Sequence, residues 1–386
     1  MSVQSPPFRA DHVGSLLRPQ AVTEARKQHF EEKQLPAEDL ASVENEAIKE
    51  VIRLQEDVGL KAVTDGEFRR SFWHYDFMGM LTGFELEQRD QGVQFAGIQL
   101  PPTFPTIRAK LDFPDDHHML THFEFVRENT RVVPKISIPG PSCCHFRTAP
   151  EDISPPEYKD TDVLFADLAA TYKKAVQAFY DRGCRYLQMD DIFFAYLCDP
   201  KHRAEKQSQG QDPDWLIDRY AWMMHQAIKD RPDDMFIAMH MCRGNFRSTY
   251  AAEGAYDPAA DAIFNKTGVD LFFMEYDTER AGGLEPLRLL AKGKQRVLPG
   301  FITTKFSTLE TIDELKRKFE EAGKYTDIDQ LGIAPSVDLP RQKKATPSPM
   351  MTRDANSSLS SQRPRRSGVA FRVFPFDCYS AEIVSE

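Results

Sequence analysis

Short apolar runs that end in polar residues recur along the chain, and most are separated by stretches of helical period. Eight of them read as strands: His12–Ser15, Lys61–Glu67, Val133–Pro139, Arg185–Asp191, Met235–Cys242, Val269–Asp277, Val297–Lys305 and Gln330–Ser336. Ahead of the second run, Leu40, Val43, Ala47, Val51, Leu54 and Val58 recur every three or four positions, which lines one face of a helix. Ahead of the eighth, Ile312, Leu315 and Phe319 do the same, and Ser307-Thr-Leu-Glu310 reads as a capping box that opens that helix. Strands alternating with helices imply a parallel α/β fold. Eight of them predict a closed (β/α)8 TIM barrel. An open doubly wound sheet that binds a nucleotide would carry a glycine-rich phosphate turn, and the chain has neither GxGxxG nor a Walker sequence. The stretch Glu87–Asn129 is rich in prolines and charges and reads as an irregular insertion between strands two and three.

Composition adds limits. The 386 residues are 41% hydrophobic and 28% charged with a formal net charge of -10, so no basic field exists to attract nucleic acid. No apolar run approaches the roughly 18 residues of a membrane span, and the polar start lacks a signal-peptide core, so a cytoplasmic protein without a membrane partner is expected. Six scattered cysteines do not form a disulfide framework.

In a parallel barrel the reactive face lies at the C-terminal ends of the strands. Ser15, Asp65, Glu67, Asp190, Asp191, His240, Cys242, Glu275 and Lys305 all fall there. His240-Met-Cys242 alternates along a strand, which turns the imidazole and the thiol to one side and Met241 to the other. Imidazole and thiolate suit zinc, and Glu275 at the end of the next strand supplies an oxygen donor. Cys143-Cys144-His145 reads as a loop after Gly140-Pro141, and Trp73, His74 and Tyr75 as packing or a surface for a flat ring.

The segments Asp11-His-Val-Gly-Ser-Leu-Leu-Arg-Pro19, Thr64-Asp-Gly-Glu67, Gln188-Met-Asp-Asp191, His240-Met-Cys-Arg-Gly-Asn245 and Leu298-Pro-Gly300 resemble the cobalamin-independent methionine synthase family. The likeness runs from Phe8 to Pro335 and is greatest to short members that contain only the catalytic barrel. It implies zinc-dependent transfer of a methyl group from a 5-methyltetrahydrofolate-type donor to the thiol of homocysteine or a related small thiol, a step of methionine synthesis. By that resemblance His240, Cys242 and Glu275 are metal ligands, and Ser15 and Glu67 hold the amino acid. Asp190 receives its ammonium group, and Lys305 is a candidate for polarising the folate.

The tail departs from the resemblance. The family's fourth zinc ligand is a cysteine just past the eighth strand, whereas here Pro335 is followed by Ser336-Val337-Asp338. From Pro340 to Val369 there are seven basic residues, one acid, four prolines and six serines, the composition of a disordered segment. Deleting one nucleotide from the first of the codons for a family-like Gln-Cys-Gly-Phe-Ala-Ser-Thr-Glu-Lys-Gly-Asn-Pro-Leu-Thr segment yields Ser336 to Ser348, so residues 337–386 are expected to derive from a frameshift and the barrel domain to span 8–336. Two other readings stay open: a uroporphyrinogen-decarboxylase-like enzyme, which needs no metal, and a degenerate barrel without catalysis.

Overall fold

The computed structural model describes residues 6–89, 94–95, 98–99, 103–244, 251–277, 279–303 and 310–336. The chain forms α1 (Gln20–Phe30), α2 (Ala37–Asp57), β1 (Ala62–Val63), α3 (Tyr75–Met78), β2 (Thr82–Gln88), β3 (Gln94–Phe95), β4 (Ile98–Gln99) and β5 (Thr103–Asp112). There follow α4 (His118–Asn129), β6 (Val133–Pro134), β7 (Ile136–Pro139), α5 (Ser142–Arg147), α6 (Thr161–Asp181), β8 (Tyr186–Asp190), α7 (Phe193–Tyr196), α8 (Pro200–Ser208) and α9 (Pro213–Ile228). The last elements are β9 (Phe236–Met241), β10 (Leu271–Met274), β11 (Arg296–Pro299) and α10 (Ile312–Ala322).

The strands of the main sheet, and the pair β1 with β6, are parallel, as the alternation with helices predicts. β7, β8, β9, β10 and β11 form one sheet in sequence order, and β1 pairs with β6. Lys135 joins the two sheets, because its N–H bonds Val63 O at 2.9 Å while β7 immediately beyond it pairs with β8. Beyond β11 the pairing thins to single bridges: Leu331 with Val297, Pro335 with Ile302, and Ile333 with Ala10.

Side chains alternate across these strands. Tyr186, Ala238, Leu271, Phe273 and Leu298 turn to one side, where they cluster with Phe8, Val13, Ala62, Val133 and Ala334. Leu187, Met189, Ile237, Met239, Met241 and Phe272 turn to the other and pack under the helices. The helices begin where the chain supplies caps. Asp160, Asp199 and Asp212 accept from the backbone N–H two residues on, and Pro200 and Pro213 occupy first helical positions, where a missing N–H costs nothing.

Several expectations are corrected. The His12–Ser15 segment is no strand: only the nearby Ala10 makes a bridge, and the carbonyls of His12, Val13 and Gly14 are taken by side chains. The insertion is more regular than its composition suggests. β2 and β5 form an antiparallel pair, and α4, capped by His117 and burying Met119, Leu120, Phe123 and Val126, is an ordinary amphipathic helix packed against α2, β6 and α6. The capping box of α10 is Thr311 with Glu314, four residues later than expected. Cys143, Cys144 and His145 are buried in α5, where His145 Nδ1 lies 2.7 Å from Tyr220 Oη. Ser307, Lys305 and the tail 337–386 lie outside the described residues.

Candidate active site

Five inward positions at the C-terminal ends of adjacent strands carry the chemistry. Ser137 lies within β7, Asp190 ends β8, His240 lies near the end of β9 with Cys242 just past it, and Glu275 follows β10. Period two places each on the same side as the interior cluster below it.

Glu67 enters from the neighbouring turn after β1. Thr64 Oγ1 bonds Gly14 O at 2.6 Å, Gly66 takes a φ of 66°, and Glu67 itself sits at φ 62°, a conformation that costs a non-glycine residue of order 1–3 kcal/mol. That turn aims the carboxylate inward. Its Oε1 accepts from Ser137 Oγ at 3.1 Å and from Arg70 Nη1 at 3.3 Å. Arg70 is buried and also donates to Ser137 O at 2.5 Å. Burial raises the Glu67 pKa above the usual carboxylate range; Arg70 opposes this, and the charges of Asp190 and Asp65 add to it.

Asp190 is a second carboxylate, beside the histidine. Its Oδ1 accepts from Gln188 Nε2 at 2.7 Å and lies 3.3 Å from His240 Nδ1. Burial works against the His240 imidazolium, but the adjoining Cys242 sulfur and Asp190 carboxylate outweigh it and raise the ring to about 10. Glu275 lies one peptide from the thiol, since its Oε2 accepts from the N–H of Arg243 at 3.0 Å. Its Oε1 is bound by Arg280.

The structure therefore brings together Glu67, Asp190, His240 and Cys242, with Glu275 alongside. Ser15 is exposed and makes no side-chain hydrogen bond among the described residues. Arg70, Ser137 and Gln188 also contact these groups, though the sequence pattern gives none of them a role. Arg70 follows Glu67 by three positions and Gln188 precedes Asp190 by two, which is the only local hint of either contact.

A family zinc ion calls for thiolate, imidazole and carboxylate donors, and the residues present suit it in kind. Cys242 and His240 are in contact and their neighbour Glu275 is an oxygen donor. They are not gathered into a finished cage, because Arg280 and the Arg243 N–H hold the Glu275 carboxylate. Among the described residues no three His, Cys, Asp or Glu side chains are grouped closely enough to hold a metal ion.

Comparison with known proteins gives a consistent result. A protein of Bacillus subtilis (strain 168) called uncharacterized protein YxjG is 43% identical over 334 residues, which is 86% of this chain and 87% of that one. The methionine synthase of Pyrococcus abyssi is 25% identical over 310 residues, 79% of this chain and 78% of its own length. The crystal structure of a putative vitamin-B12 independent methionine synthase from Listeria monocytogenes superposes with a TM-score of 0.70 at 35% identity, covering 87% of this chain and 92% of that one. The family described as the catalytic domain of cobalamin-independent synthases matches residues 8–353, well over half of the sequence. This chain, with its inward carboxylates beside a His-x-Cys pair, belongs to that family.

Proposed function

We propose that the chain is a zinc-dependent methyltransferase of the methionine synthase type. On this reading it moves a methyl group from a 5-methyltetrahydrofolate-type donor to the thiol of homocysteine or a closely related amino thiol. The observation that carries the reading is the nearness of two groups at the C-terminal ends of the strands: carboxylates that suit an ammonium, Glu67 and Asp190, and a thiol–imidazole pair that suits a soft metal, His240 and Cys242. Cys242, His240 and Glu275 would hold zinc, whose contribution when bound is to ionise the incoming thiol at neutral pH.

The protein's own residues do the positioning. Asp190 and Glu67 offer negative charge to the substrate ammonium in a site shielded from water, where such attraction is stronger than in bulk solvent. Arg70 prevents the two carboxylates from repelling each other apart. Fixing the amino acid at one end directs its sulfur towards the His240–Cys242 end, and orientation of this kind is worth several kcal/mol of a transfer barrier. Ser15 and Lys305 belong to the same reading, as a contact for the amino acid and a group polarising the folate.

Closure of the strands into a (β/α)8 barrel is part of the proposal. It is supported by the bridge between Ala10 and Ile333 and by an interior cluster that draws residues from all eight strand positions. So are a barrel domain over 8–336 and a cytoplasmic location; no helix of the described residues is long and apolar enough to cross a membrane.

A second reading, a barrel that binds its ligands without catalysis, is favoured by one observation. Ser336 and Val337 stand where the family cysteine is expected. The test treats both. Purified chain, and a chain with the family reading frame restored after Pro335, are assayed for zinc by mass spectrometry and for methyl transfer to homocysteine. Zinc with transfer in the repaired chain supports the enzyme; zinc without transfer in either chain supports the binding protein; absence of zinc from both overturns the proposal.

A further inference from the structure

We propose that Gln188 is a positioning residue that sets the Asp190 carboxylate and the Ser15-bearing segment in one register for the substrate amino group. The inference rests on the reading of Asp190 as the acceptor of the ammonium. Gln188 is fully buried on the inward face of β8, midway between Tyr186 and Asp190. Its Nε2 donates to Asp190 Oδ1 at 2.7 Å and to Val13 O at 2.7 Å.

Both partners are acceptors, so only one orientation of the amide works. Turned over, it would set an oxygen against two oxygens. The price of the chosen orientation is visible on the other side: Gln188 Oε1 is buried and has no hydrogen-bond partner among the described residues. An apolar side chain of this size would fill the interior without an orphaned carbonyl, so packing alone does not explain an amide here. The two donated bonds do.

Their effect is directional. Oδ1 of Asp190 is taken by Gln188 and by His240 Nδ1, which leaves Oδ2 as the oxygen open to a ligand. The same amide grips Val13, two residues before Ser15. Neighbouring carbonyls of that segment are gripped in the same way: His12 O by Lys135 Nζ at 2.5 Å and Gly14 O by Thr64 Oγ1 at 2.6 Å. Three consecutive carbonyls are thus held by side chains within or next to three different strands, in place of a strand ladder. Only the middle one also holds a residue assigned to the substrate.

The test uses equilibrium binding to the full chain, with L-methionine as probe and 4-(methylthio)butanoate, which lacks the amino group, as its comparison. Gln188→Met is expected to weaken L-methionine about 10- to 100-fold and to leave 4-(methylthio)butanoate within about twofold. A residue with only a structural role would weaken both alike. If Q188M does not fold, Gln188→Asn carries the comparison, because its shorter amide reaches one acceptor but not both. Equal weakening of the two ligands, or no weakening of either, overturns the role of Gln188. Asp190→Asn reports on the underlying reading: if it too fails to discriminate between the ligands, the reading of Asp190 falls. If D190N discriminates and Q188M does not, only the present inference falls.

Discussion

Replacing Lys135 by methionine tests the buried floor on which the site stands. Lys135 and Asp11 are both wholly inaccessible, with Nζ 3.4 Å and 3.5 Å from the two carboxylate oxygens. Burial lowers the Lys135 pKa and Asp11 opposes that shift. Lys135 also bonds His12 O and lies over the rings of Tyr186 and Phe273, at 4.9 Å and 4.4 Å from their centroids. In K135M the Asp11 carboxylate keeps, among the described residues, only Tyr186 Oη at 2.5 Å and the His12 N–H at 2.7 Å, without the Lys135 ammonium to balance it. Breaking a buried pair from one side costs about 3–5 kcal/mol. At about 2.1 cal/mol/K per residue over the 329 residues from 8 to 336, the unfolding entropy is roughly 0.7 kcal/mol/K, so Tm should fall by about 4–7 °C. Asp11→Asn added to K135M removes the stranded charge and should recover at least half of that loss. Thermal unfolding followed by circular dichroism at neutral pH measures both. A loss under about 1 °C in K135M, or a double variant no better than the single, would refute the claim that charge balance governs this floor.

Other expectations bear on the site. Cys242→Ser should lower zinc affinity at least about tenfold against a competing chelator, because a hydroxyl is a far poorer ligand than a thiolate. Arg280→Gln should tighten it by about the same factor, since Glu275 would no longer have to leave a cation; weaker binding in R280Q would show that Arg280 helps the site instead of competing with it. Burial raises the Asp191 carboxyl to about 7, against the Ser142 hydroxyl and Phe193 N–H that favour its charge. The folded state therefore binds this proton more tightly than the unfolded chain. The resulting stability is complete below pH 4 and is lost as pH rises through 7. Asp191→Asn should accordingly gain on the parent between pH 5 and 8 in denaturant titrations, and a constant difference across that range would exclude the protonated form. Gly140→Ala should cost roughly 1–3 kcal/mol in the same titrations, because a Cβ there would lie 2.7 Å from Cβ and Cγ of the buried Asp191.

Local periodicity carried part of this molecule and could not carry the rest. His240 and Cys242 were legible together because strand geometry alone puts alternate residues on one side. The α10 capping box was misplaced because Ser307–Glu310 and Thr311–Glu314 spell the same pattern four residues apart, and which one starts the helix depends on where the chain leaves the sheet. α4 was hidden by its histidines and charges. They lower its apparent apolar period, yet Met119, Leu120, Phe123 and Val126 still form one buried face. His12–Ser15 does not form the expected first strand because the carbonyls of His12, Val13 and Gly14 are satisfied by Lys135, Gln188 and Thr64. Each of those contacts joins residues at least 50 positions apart, which no window along the sequence can see.

The polar spine along β8 ties durability to recognition. Tyr186, Gln188 and Asp190 stand one above another on the same face, the lowest braced by Asp11 and the highest beside His240. Heat or mutation that loosens the bottom rung tilts the top one without melting any helix. A weakened version of this protein should therefore lose its grip on an amino acid at temperatures where circular dichroism still reports a folded chain.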